Sequence, residues 1–396
     1  MIRTKLLTED TYYVGVNDRH TQLFENMHSI PYGVSYNSYL ILDEKTALID
    51  TMEISFSEIF IEKIQTVLQG RKLDYLVINH MEPDHSGSIK QIRRIFPEIK
   101  IVGNIKTFDM VNGFYGISDN LHEVKDGDTL SLGRHTLQFH LTPMVHWVET
   151  MMTYDLHTRT LFSGDAFGSF RALDGGVLDT ELRVEDFWEE MRRYYSNIVG
   201  KYGSPVQKAI GKLAGIPIDL ICATHGPVWK EHIAEVIDMY DRMSRYEGEA
   251  GVVIAYASMY GNTGQMAEVL AGYLSDYGVR NIVVHNLSRS NASYVISDIF
   301  KYKALVLGCP TYNAELYPEM ASLLMRIETR GIKNRIYGCF GSYSWVGVAV
   351  KQLQAFGEKM AWDTCTPSPE QKQALKPERY AELAALAKEI AGKLNG

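Results

Sequence analysis

The sequence predicts two domains of mixed α/β and α+β character, residues 1–248 and residues 249–396, the second built on a doubly wound parallel sheet. Three observations support this prediction. A chain of 396 residues is too long for one ordinary hydrophobic core. A small polar join at residues 246–251 separates two parts of different character. After this join, short apolar segments alternate with amphipathic ones, as in a parallel sheet covered by helices.

The first domain opens with three segments rich in β-forming residues, which we expect to be strands: residues 11–16, 38–42 and 46–50. Strands and helices then alternate. Three further apolar strands each end in a short polar loop that contains a histidine or an aspartate: residues 76–80, 161–165 and 220–225. Functional side chains of α/β proteins meet at the carboxyl ends of strands. We therefore expect the chemistry of this domain at these loops.

The second domain begins with a strand at residues 252–257, and further strands are expected at residues 304–307 and 336–340. The segment after the first strand has the apolar spacing of a helix that packs on a sheet. The residues on this face are Met266, Val269, Leu270, Tyr273 and Leu274. A last amphipathic helix is expected at residues 377–394.

The composition argues against several classes of protein. A formal net charge of −8 disfavours a nucleic-acid-binding surface. No apolar run reaches the roughly 18 residues that would span a bilayer, and the first ten residues turn acidic where a secretory signal would continue. The four cysteines include no C-x-x-C pair, which predicts isolated thiols and no rubredoxin-type module. We expect a cytoplasmic protein that binds neither membranes nor nucleic acid.

The densest signal is an H-x-E-x-D-H motif directly after an apolar strand, with four potential metal ligands: His80, Glu82, Asp84 and His85. A solvated charged run would not be half histidine, so the cluster predicts a metal site. Three single residues that follow apolar strands or lie in a loop are candidates to complete it: His146, Asp165 and His225. Taken alone, each of these could instead serve packing or, for Asp165, a helix N-cap.

Residues 258–263 lie between the first strand of the second domain and its helix. Such a loop offers backbone N–H groups, the positive end of a helix dipole and hydroxyl donors to a phosphate. The loop lacks the lysine of a nucleoside triphosphate site. A phosphate monoester held without basic side chains fits FMN.

Two later strand-end loops, residues 308–313 and 341–347, present aromatic side chains at the same edge of the predicted sheet. Tyr312 and Trp345 are candidates to flank the flavin ring. The alternative is that they only cover the sheet edge. The candidate FMN-binding residues of the three loops are Ser258, Met259, Tyr260, Gly261, Asn262, Thr263, Pro310, Thr311, Tyr312, Asn313, Gly341, Ser342, Tyr343, Ser344, Trp345 and Gly347.

The order of the metal motifs resembles the metallo-β-lactamase fold, an αββα sandwich: H-x-[HE]-x-D-H, a single histidine, an S-G-D aspartate and a T-H-G histidine. In the zinc hydrolases of that fold the second motif position is usually histidine, whereas here it is Glu82. A carboxylate adds negative charge and an oxygen donor, which suits iron. The glutamate version followed by a flavodoxin-like domain resembles the flavodiiron proteins, and the resemblance covers nearly the whole chain.

The resemblance implies a pair of non-haem iron ions. One iron would be held by His80, Glu82 and His146, and the other by Asp84, His85 and His225, with Asp165 as a bridge. The family also places a tyrosine near the site, which corresponds to Tyr194 or Tyr195. Such a phenol could donate a proton to bound oxygen, although both could be ordinary helix aromatics. Many members carry a histidine after an early phenylalanine, where this chain has Glu25 after Phe24, with His20 and His28 nearby.

The resemblance further implies an oxidoreductase that reduces O2 to water, NO to N2O, or both, with electrons relayed through FMN. No G-x-G-x-x-G follows a strand, so direct NAD(P)H binding has no visible site. The expected donor is rubredoxin or another small redox protein, or a deazaflavin in a methanogen. The expected assembly is a head-to-tail homodimer or a dimer of such dimers.

Two alternatives stay open. One is a zinc hydrolase fused to a flavodoxin-like domain, which Glu82 disfavours. The other is an electron carrier or scaffold with a degenerate metal site, which the complete ligand set disfavours.

Overall fold

The computed structural model describes residues 4–395 of the chain. Contacts divide it into two compact units. The first unit contains the described residues up to Tyr195 together with Ser204–Asp241, and the second contains Ser196–Gly203 together with the described residues from Arg242 onward. The predicted domain boundary at residue 248 lies shortly after Asp241 and stays a prediction. Among the described residues, no helix is both long and apolar enough to cross a membrane.

Short strands dominate the first unit, and helices connect them. In chain order the elements are β1 (Lys5–Leu6), β2 (Thr11–Tyr13), β3 (Val16–Asp18), β4 (Leu23–Phe24), β5 (His28–Ser29), β6 (Val34–Tyr36), β7 (Tyr39–Leu42), β8 (Thr46–Ile49), α1 (Ser57–Leu68), β9 (Tyr75–Val77), α2 (Pro83–Ser86), α3 (Ile89–Ile95), β10 (Lys100–Gly103), α4 (Ile105–Tyr115), β11 (Leu121–Glu123), β12 (Thr129–Ser131), β13 (Thr136–Leu141), β14 (Met151–Asp155), β15 (Thr160–Gly164), α5 (Glu185–Tyr194), α6 (Gly203–Leu213), β16 (Leu220–Ala223), β17 (Val228–Trp229) and α7 (Ile233–Ser244).

Two sheets form the core of the first unit. One has the strand order β1-β2-β7-β8-β9-β10-β11 and the other β12-β13-β14-β15-β16-β17. Their inner faces meet, because the ring of Tyr39 on β7 lies 5.4 Å from that of Phe162 on β15. The Tyr39 hydroxyl also donates to the Ala223 carbonyl on β16 at 2.6 Å. Every position of β8 and β15 is buried, so the outer face of each sheet is covered as well. This arrangement agrees with the predicted αββα sandwich.

The predicted strand at residues 11–16 is two strands in the structure. β2 pairs with β7, whereas β3 pairs with β6 in a separate two-stranded sheet. Gly15 lies between them, and a Cβ atom at this position would come within 2.6 Å of the Tyr36 carbonyl oxygen. Backbones that approach this closely require glycine and interrupt the strand. The expectation of one continuous strand is therefore wrong, while β7 and β8 confirm the other two expected strands.

The second unit alternates strands and helices. Its elements are β18 (Glu249–Tyr256), α8 (Asn262–Asp276), β19 (Ile282–Asn286), α9 (Ala292–Lys301), β20 (Tyr302–Tyr312), β21 (Glu315–Leu316), α10 (Pro318–Thr329), β22 (Ile336–Tyr343), α11 (Ala349–Lys359), β23 (Asp363–Thr364), β24 (Glu370–Lys372) and α12 (Pro377–Asn395).

A parallel sheet with the order β19-β18-β20-β22-β23 forms the centre of this unit. The order reverses between β18 and β20, and ligands of doubly wound sheets bind at the carboxyl ends of such strands. The predicted helical face of α8 is confirmed, since Met266, Leu270 and Leu274 have no exposed surface. They share one apolar cluster with residues of α12, and Val269 and Tyr273 pack against it.

Candidate metal centre and flavin site

Strand ends bring the predicted metal ligands together. His80 follows β9, Asp165 directly follows β15, and His225 follows β16. Asp84 and His85 lie on α2, and Glu82 lies immediately before it. His146 lies in the loop between β13 and β14. The four histidines and Asp165 are buried, with at most 5% of each residue exposed.

The seven side chains form two groups, and within each group the potential ligand atoms lie within 4.8 Å of one another. The first group is His80, Glu82, His146 and Asp165, and the second is Asp84, His85 and His225. In the first group, His146 Nε2 lies 3.0 Å from Glu82 Oε2 and 3.3 Å from His80 Nε2. In the second, Asp84 Oδ2 lies 3.2 Å from His225 Nε2 and 3.4 Å from His85 Nε2. Nitrogen and oxygen atoms that converge in this way can hold one ion per group.

Asp165 joins the two groups. Its Oδ2 atom lies 3.0 Å from His146 Nε2 of the first group, and its Oδ1 atom lies 2.8 Å from His85 Nε2 of the second. The hydroxyl of Thr224 donates to Oδ1 at 2.6 Å and orients the carboxylate. A carboxylate with one oxygen turned to each group has the geometry to bridge two metal ions.

Several potential ligand atoms have no hydrogen-bond partner within residues 4–395. They are both carboxylate oxygens of Asp84 and the Nε2 atoms of His85 and His225, all buried and close to oppositely charged groups but without the geometry of a hydrogen bond. A buried polar atom without a partner costs about 1–3 kcal/mol, which a bound ion would offset. Four imidazoles and three carboxylates are a mixed nitrogen and oxygen donor set that fits a pair of iron ions.

Opposite charges dominate the electrostatics of the site. Burial disfavours the charged imidazoles, but Asp84 and Asp165 raise the pKa of His85 to about 9, and Asp165 and Glu82 do the same for His146. Burial would raise the pKa of Asp165, but His85 and the other imidazoles hold it well below its ordinary value. The metal-free site therefore retains protons, and protons compete with metal ions for it.

Two buried contacts that no sequence pattern revealed orient the histidines. His80 Nδ1 lies 2.8 Å from Glu149 Oε1, and the same oxygen accepts the Met81 N–H at 2.9 Å. His225 Nδ1 donates to the Ser35 carbonyl oxygen at 2.7 Å. Each ring thus uses Nδ1 in the protein and leaves Nε2 for a metal, as ligating histidines do. In the sequence, the one indication of a role for Glu149 is that it is an acidic residue three positions after the candidate ligand His146.

Tyr194 lies beside the second metal group. Its ring centroid is 5.3 Å from that of His225, and its buried hydroxyl has no partner among the described residues. Burial and the charge of Asp165 raise the pKa of Tyr194 well above its ordinary value, so the phenol stays protonated. The Tyr195 ring packs against Tyr240 at 4.9 Å. The catalytic role of either tyrosine stays a prediction.

Glu25, where many family members carry histidine, lies between β4 and β5 with a φ of 49°. Its Oε2 atom is 3.4 Å from Nε2 of His28, which is buried. The preceding Phe24 packs edge-on against His225 with 5.5 Å between ring centroids. This segment therefore reaches the second metal group through an aromatic ring, while His20 is exposed.

The second unit has a cleft of about 350 Å³ that the three predicted loops line. The residues that line it are Ser258, Met259, Tyr260, Asn262, Thr263, Pro310, Thr311, Tyr312, Asn313, Ala314, Ser342, Tyr343, Ser344, Trp345, Val346 and Gln373. No lysine or arginine of the described chain is among them. The side chains of Tyr260 and Trp345 are 93% and 83% exposed, so both rings are free to cover a planar ligand.

Three predicted glycines do not line the cleft but shape its loops. Gly261 precedes α8 with a φ of 95°, and its N–H donates to the Ser258 hydroxyl at 3.1 Å. Gly341 lies within β22, and Gly347 packs so closely on Glu370 that a Cβ atom would come within 2.7 Å of its carboxylate. Ala314, Val346 and Gln373 line the cleft although the sequence patterns did not single them out. FMN binding by individual residues stays a prediction.

Comparisons with known proteins agree with this geometry. The family model for ODP family β-lactamases matches residues 34–226, and the flavodoxin model matches residues 254–362. The anaerobic nitric oxide reductase flavorubredoxin of Shigella dysenteriae is 32% identical over 357 residues, which are 88% of this chain and 74% of the relative.

Two of the similar solved structures cover nearly the whole chain. Rubredoxin oxygen:oxidoreductase from Desulfovibrio gigas superposes with a TM-score of 0.95 at 30% identity, covering 99% of each chain. The flavodiiron protein from Giardia intestinalis has a TM-score of 0.95 at 26% identity, covering 100% of this chain and 97% of its own. The predicted fold class, a metallo-β-lactamase-like domain followed by a flavodoxin-like one, is confirmed. The chain belongs to the flavodiiron protein family.

Proposed function

We propose that this chain reduces O2 to water, NO to N2O, or both, with electrons that a small protein such as rubredoxin delivers through FMN. The chain is an oxidoreductase whose cofactors are FMN and a non-haem diiron site. The observation that carries the proposal is the position of Asp165, whose two oxygens face two separate groups of imidazole and carboxylate ligands. One relative is named as a nitric oxide reductase and another as a rubredoxin oxygen:oxidoreductase, which supports both substrates.

The proposed ligands divide as the two groups do. His80, Glu82 and His146 would hold one iron and Asp84, His85 and His225 the other, and Asp165, which faces both groups, would contribute to both sites. When bound, the irons supply electrons and open coordination positions to a diatomic substrate. Glu149 and the Ser35 carbonyl hold the His80 and His225 rings with Nε2 toward the metals.

Both reductions consume protons as well as electrons, and Tyr194 is the proposed donor. Its hydroxyl is protonated, buried and unpartnered beside His225. A phenol held there could donate a hydrogen bond to an oxygen atom of the substrate and then pass on its proton, which solvent would have to replace in each turnover. The buried surroundings keep bulk water out, which strengthens this interaction.

The flavin is proposed to bind in the cleft at the carboxyl ends of β18, β20 and β22. Its phosphate would lie at the start of α8, where the loop offers the hydroxyl of Thr263 and backbone N–H groups. Tyr312 and Trp345 would flank the ring system. Because the cleft lacks basic side chains, the helix terminus and neutral donors must hold the phosphate.

The proposed assembly is a head-to-tail homodimer, or a dimer of such dimers, in which the flavin of one subunit serves the irons of the other. Light scattering on the cofactor-loaded protein tests this. A monomer that retained full turnover at nanomolar concentration would contradict it.

One experiment tests the proposed function directly. The iron- and FMN-loaded protein is reduced anaerobically with rubredoxin and a rubredoxin reductase, and the steady-state consumption of O2 and of NO is measured with metal analysis. We expect iron and turnover with at least one of the two gases. About two zinc ions per chain with hydrolase activity, or flavin reduction without gas consumption in both wild type and Asp165→Ala, would contradict the proposal.

A further inference from the structure

The first unit contains a cavity of about 250 Å³. None of the seven candidate metal ligands lies in its wall. Its walls come from the N-terminal strands, from α1 and from the segment before the 3-10 turn at Asp179–Glu181. The charged or polar side chains of the wall include Lys5, Tyr13, Asn17, Lys63 and Glu181. This volume is below the roughly 300–1,000 Å³ of pockets for drug-sized ligands, so it suits a ligand of few atoms.

The charged group in the wall is the ammonium of Lys63 on α1. This residue is only 8% exposed, and its ammonium donates to the carbonyl oxygen of Gly15. Burial lowers the pKa of Lys63 to about 8, and no charged neighbour contributes to the shift. An ammonium has three N–H donors, and apart from the bond to Gly15 no hydrogen bond of the Lys63 ammonium is found among the described residues, although Lys63 lines the cavity. A buried cation without a counter-charge is destabilising.

Glu181, the acidic residue in the wall, already has partners within the protein. Lys5 pairs with Glu181, and the Glu181 carboxylate also accepts the backbone N–H groups of Val177 and Leu178 at 3.1 and 3.3 Å. Among the described lining residues, Lys5, Lys63 and Glu181 are the charged ones, which leaves one positive charge in excess. The cavity is therefore electropositive at Lys63.

The neutral polar groups of the wall are held in place. The Tyr13 hydroxyl donates to Asn37 Oδ1 at 3.0 Å. The amide of Asn17 donates to the Leu173 carbonyl at 3.1 Å and accepts the Leu173 N–H at 2.7 Å. A wall with its own hydrogen bonds in place loses little conformational freedom when a ligand binds.

From these observations we propose that the cavity is a binding site for a small oxyanion, a carboxylate or a phosphate, whose oxygens accept hydrogen bonds from the Lys63 ammonium. The bound anion would supply the negative charge that pairs with the Lys63 ammonium. Hydrogen bonds between an ammonium and an oxyanion are charge-assisted and stronger than neutral ones. The site is separate from the proposed metal centre and does not depend on the proposed gas reduction.

Calorimetric titration of the cofactor-loaded protein with inorganic phosphate and with acetate, at constant ionic strength, tests the proposal. We expect saturable binding of one anion per chain to the wild type, at least about tenfold weaker binding to Lys63→Met, and retained binding to Lys63→Arg. The matched control is Lys208→Met, which removes an exposed lysine of α6 and should bind as the wild type does.

A selenate soak of wild-type crystals locates the anion without any variant. An anomalous peak within hydrogen-bonding distance of Lys63 Nζ is the expected result. Equal affinity in the wild type and Lys63→Met, or selenate peaks at other lysines with none at Lys63, would overturn the proposal. If Lys63→Met fails to fold, the soak alone decides.

Discussion

Glu82 is the residue that separates this metal centre from a zinc centre on the same kind of fold. Its Oε2 atom lies 3.0 Å from His146 Nε2 and 3.4 Å from His80 Nε2, where a third imidazole would leave Asp165 as the one carboxylate of the group. The carboxylate instead gives the first group a negative charge in addition to that of Asp165. Negative charge and hard oxygen donors stabilise a higher oxidation state of a metal that cycles between two states.

Glu149→Gln should weaken iron binding without unfolding the chain. The amide keeps the shape of the side chain but lacks the charge that makes the His80 ring a strong ligand. Loss of such an outer partner weakens metal affinity by about 10- to 100-fold. Competition with a chelator at fixed pH measures the change. Glu58→Gln, at an exposed site on α1, is the control. Equal iron affinities in the two variants would contradict the role of Glu149 in orienting His80.

Tyr194→Phe should lower gas turnover by about a hundredfold or more, because a positioned proton donor contributes about that much. Iron and FMN contents should remain those of the wild type. Tyr195→Phe is the matched comparison, since Tyr195 is the adjacent buried tyrosine and its ring packs against Tyr240. Stopped-flow oxidation of the reduced protein by O2 and by NO measures both. Equal losses in the two variants would contradict a specific role for Tyr194.

At the scale of elements, the turn before α8 is the part of the proposed flavin site whose shape depends on an unusual backbone conformation. Gly261 has a φ of 95°, and a Cβ atom there would meet nothing within 4 Å, so strain and not a clash opposes substitution. Gly261→Ala should destabilise this turn by about 1–2 kcal/mol and weaken FMN binding by about tenfold. Fluorescence titration of the apoprotein with FMN measures the affinity.

Gly272→Ala is the control for that substitution. Gly272 lies inside α8 with open space around it, where alanine favours the helix. Its FMN affinity should equal that of the wild type. A Gly261→Ala variant that bound FMN as tightly as Gly272→Ala would show that the turn conformation does not matter for the cofactor.

An ion pair that should depend on pH joins the start of β13 to the end of β14 in the second sheet. His135 Nδ1 lies 2.8 Å from Asp155 Oδ2, and both side chains are buried. Burial lowers the pKa of His135, but Asp155, Asp10 and Asp43 raise it above its ordinary value of 6.5. Burial would raise the pKa of Asp155, but the hydrogen bond from His135 and its charge lower it below 3.8.

The direction of each pKa shift sets the pH range in which the pair stabilises the fold. The His135 contribution is present in full below pH 6.5 and is lost as the pH rises through the raised pKa of the folded state. The Asp155 contribution is present above pH 3.8 and is lost as the pH falls through its lowered pKa. The pair is therefore most effective between these two values.

His135→Gln should thus destabilise the protein more at pH 5.5 than at pH 8.5. Urea unfolding at both pH values measures the difference, and subtracting the wild-type values removes the titration of other groups. His20→Gln, at an exposed histidine, should show no such difference. A loss of stability in His135→Gln that is the same at both pH values would refute the ion-pair assignment.

At the scale of the whole molecule, we propose that the two compact units hold different cofactors, so removal of each cofactor should destabilise a different part. A ligand that binds only the folded state raises its apparent stability, and the first unit without metal leaves buried ligand atoms unpartnered within its described residues. Chelation of iron should lower one calorimetric transition by several degrees, and removal of FMN should lower another. One transition that shifted equally in both experiments would contradict this expectation.

The sequence by itself determined the features that depend on local order along the chain. The candidate ligands of the H-x-E-x-D-H motif lie within six residues, so the turn after β9 keeps them close to one another whatever the rest of the fold does. The flavin loops follow apolar strands of a parallel sheet, whose carboxyl ends share one edge. The periodicity of α8 likewise predicted its buried face.

Only the tertiary structure decided which distant groups meet. Asp165 faces both metal groups because β15 lies between β14 and β16 in the second sheet, and Glu149 reaches His80 because the loop before β14 approaches the end of β9. The tertiary structure likewise places Lys63 beside Gly15 in a buried position, although nothing in the sequence distinguishes this lysine from others on helices. Contacts between residues far apart in the chain depend on strand pairing and burial, and no local pattern records either.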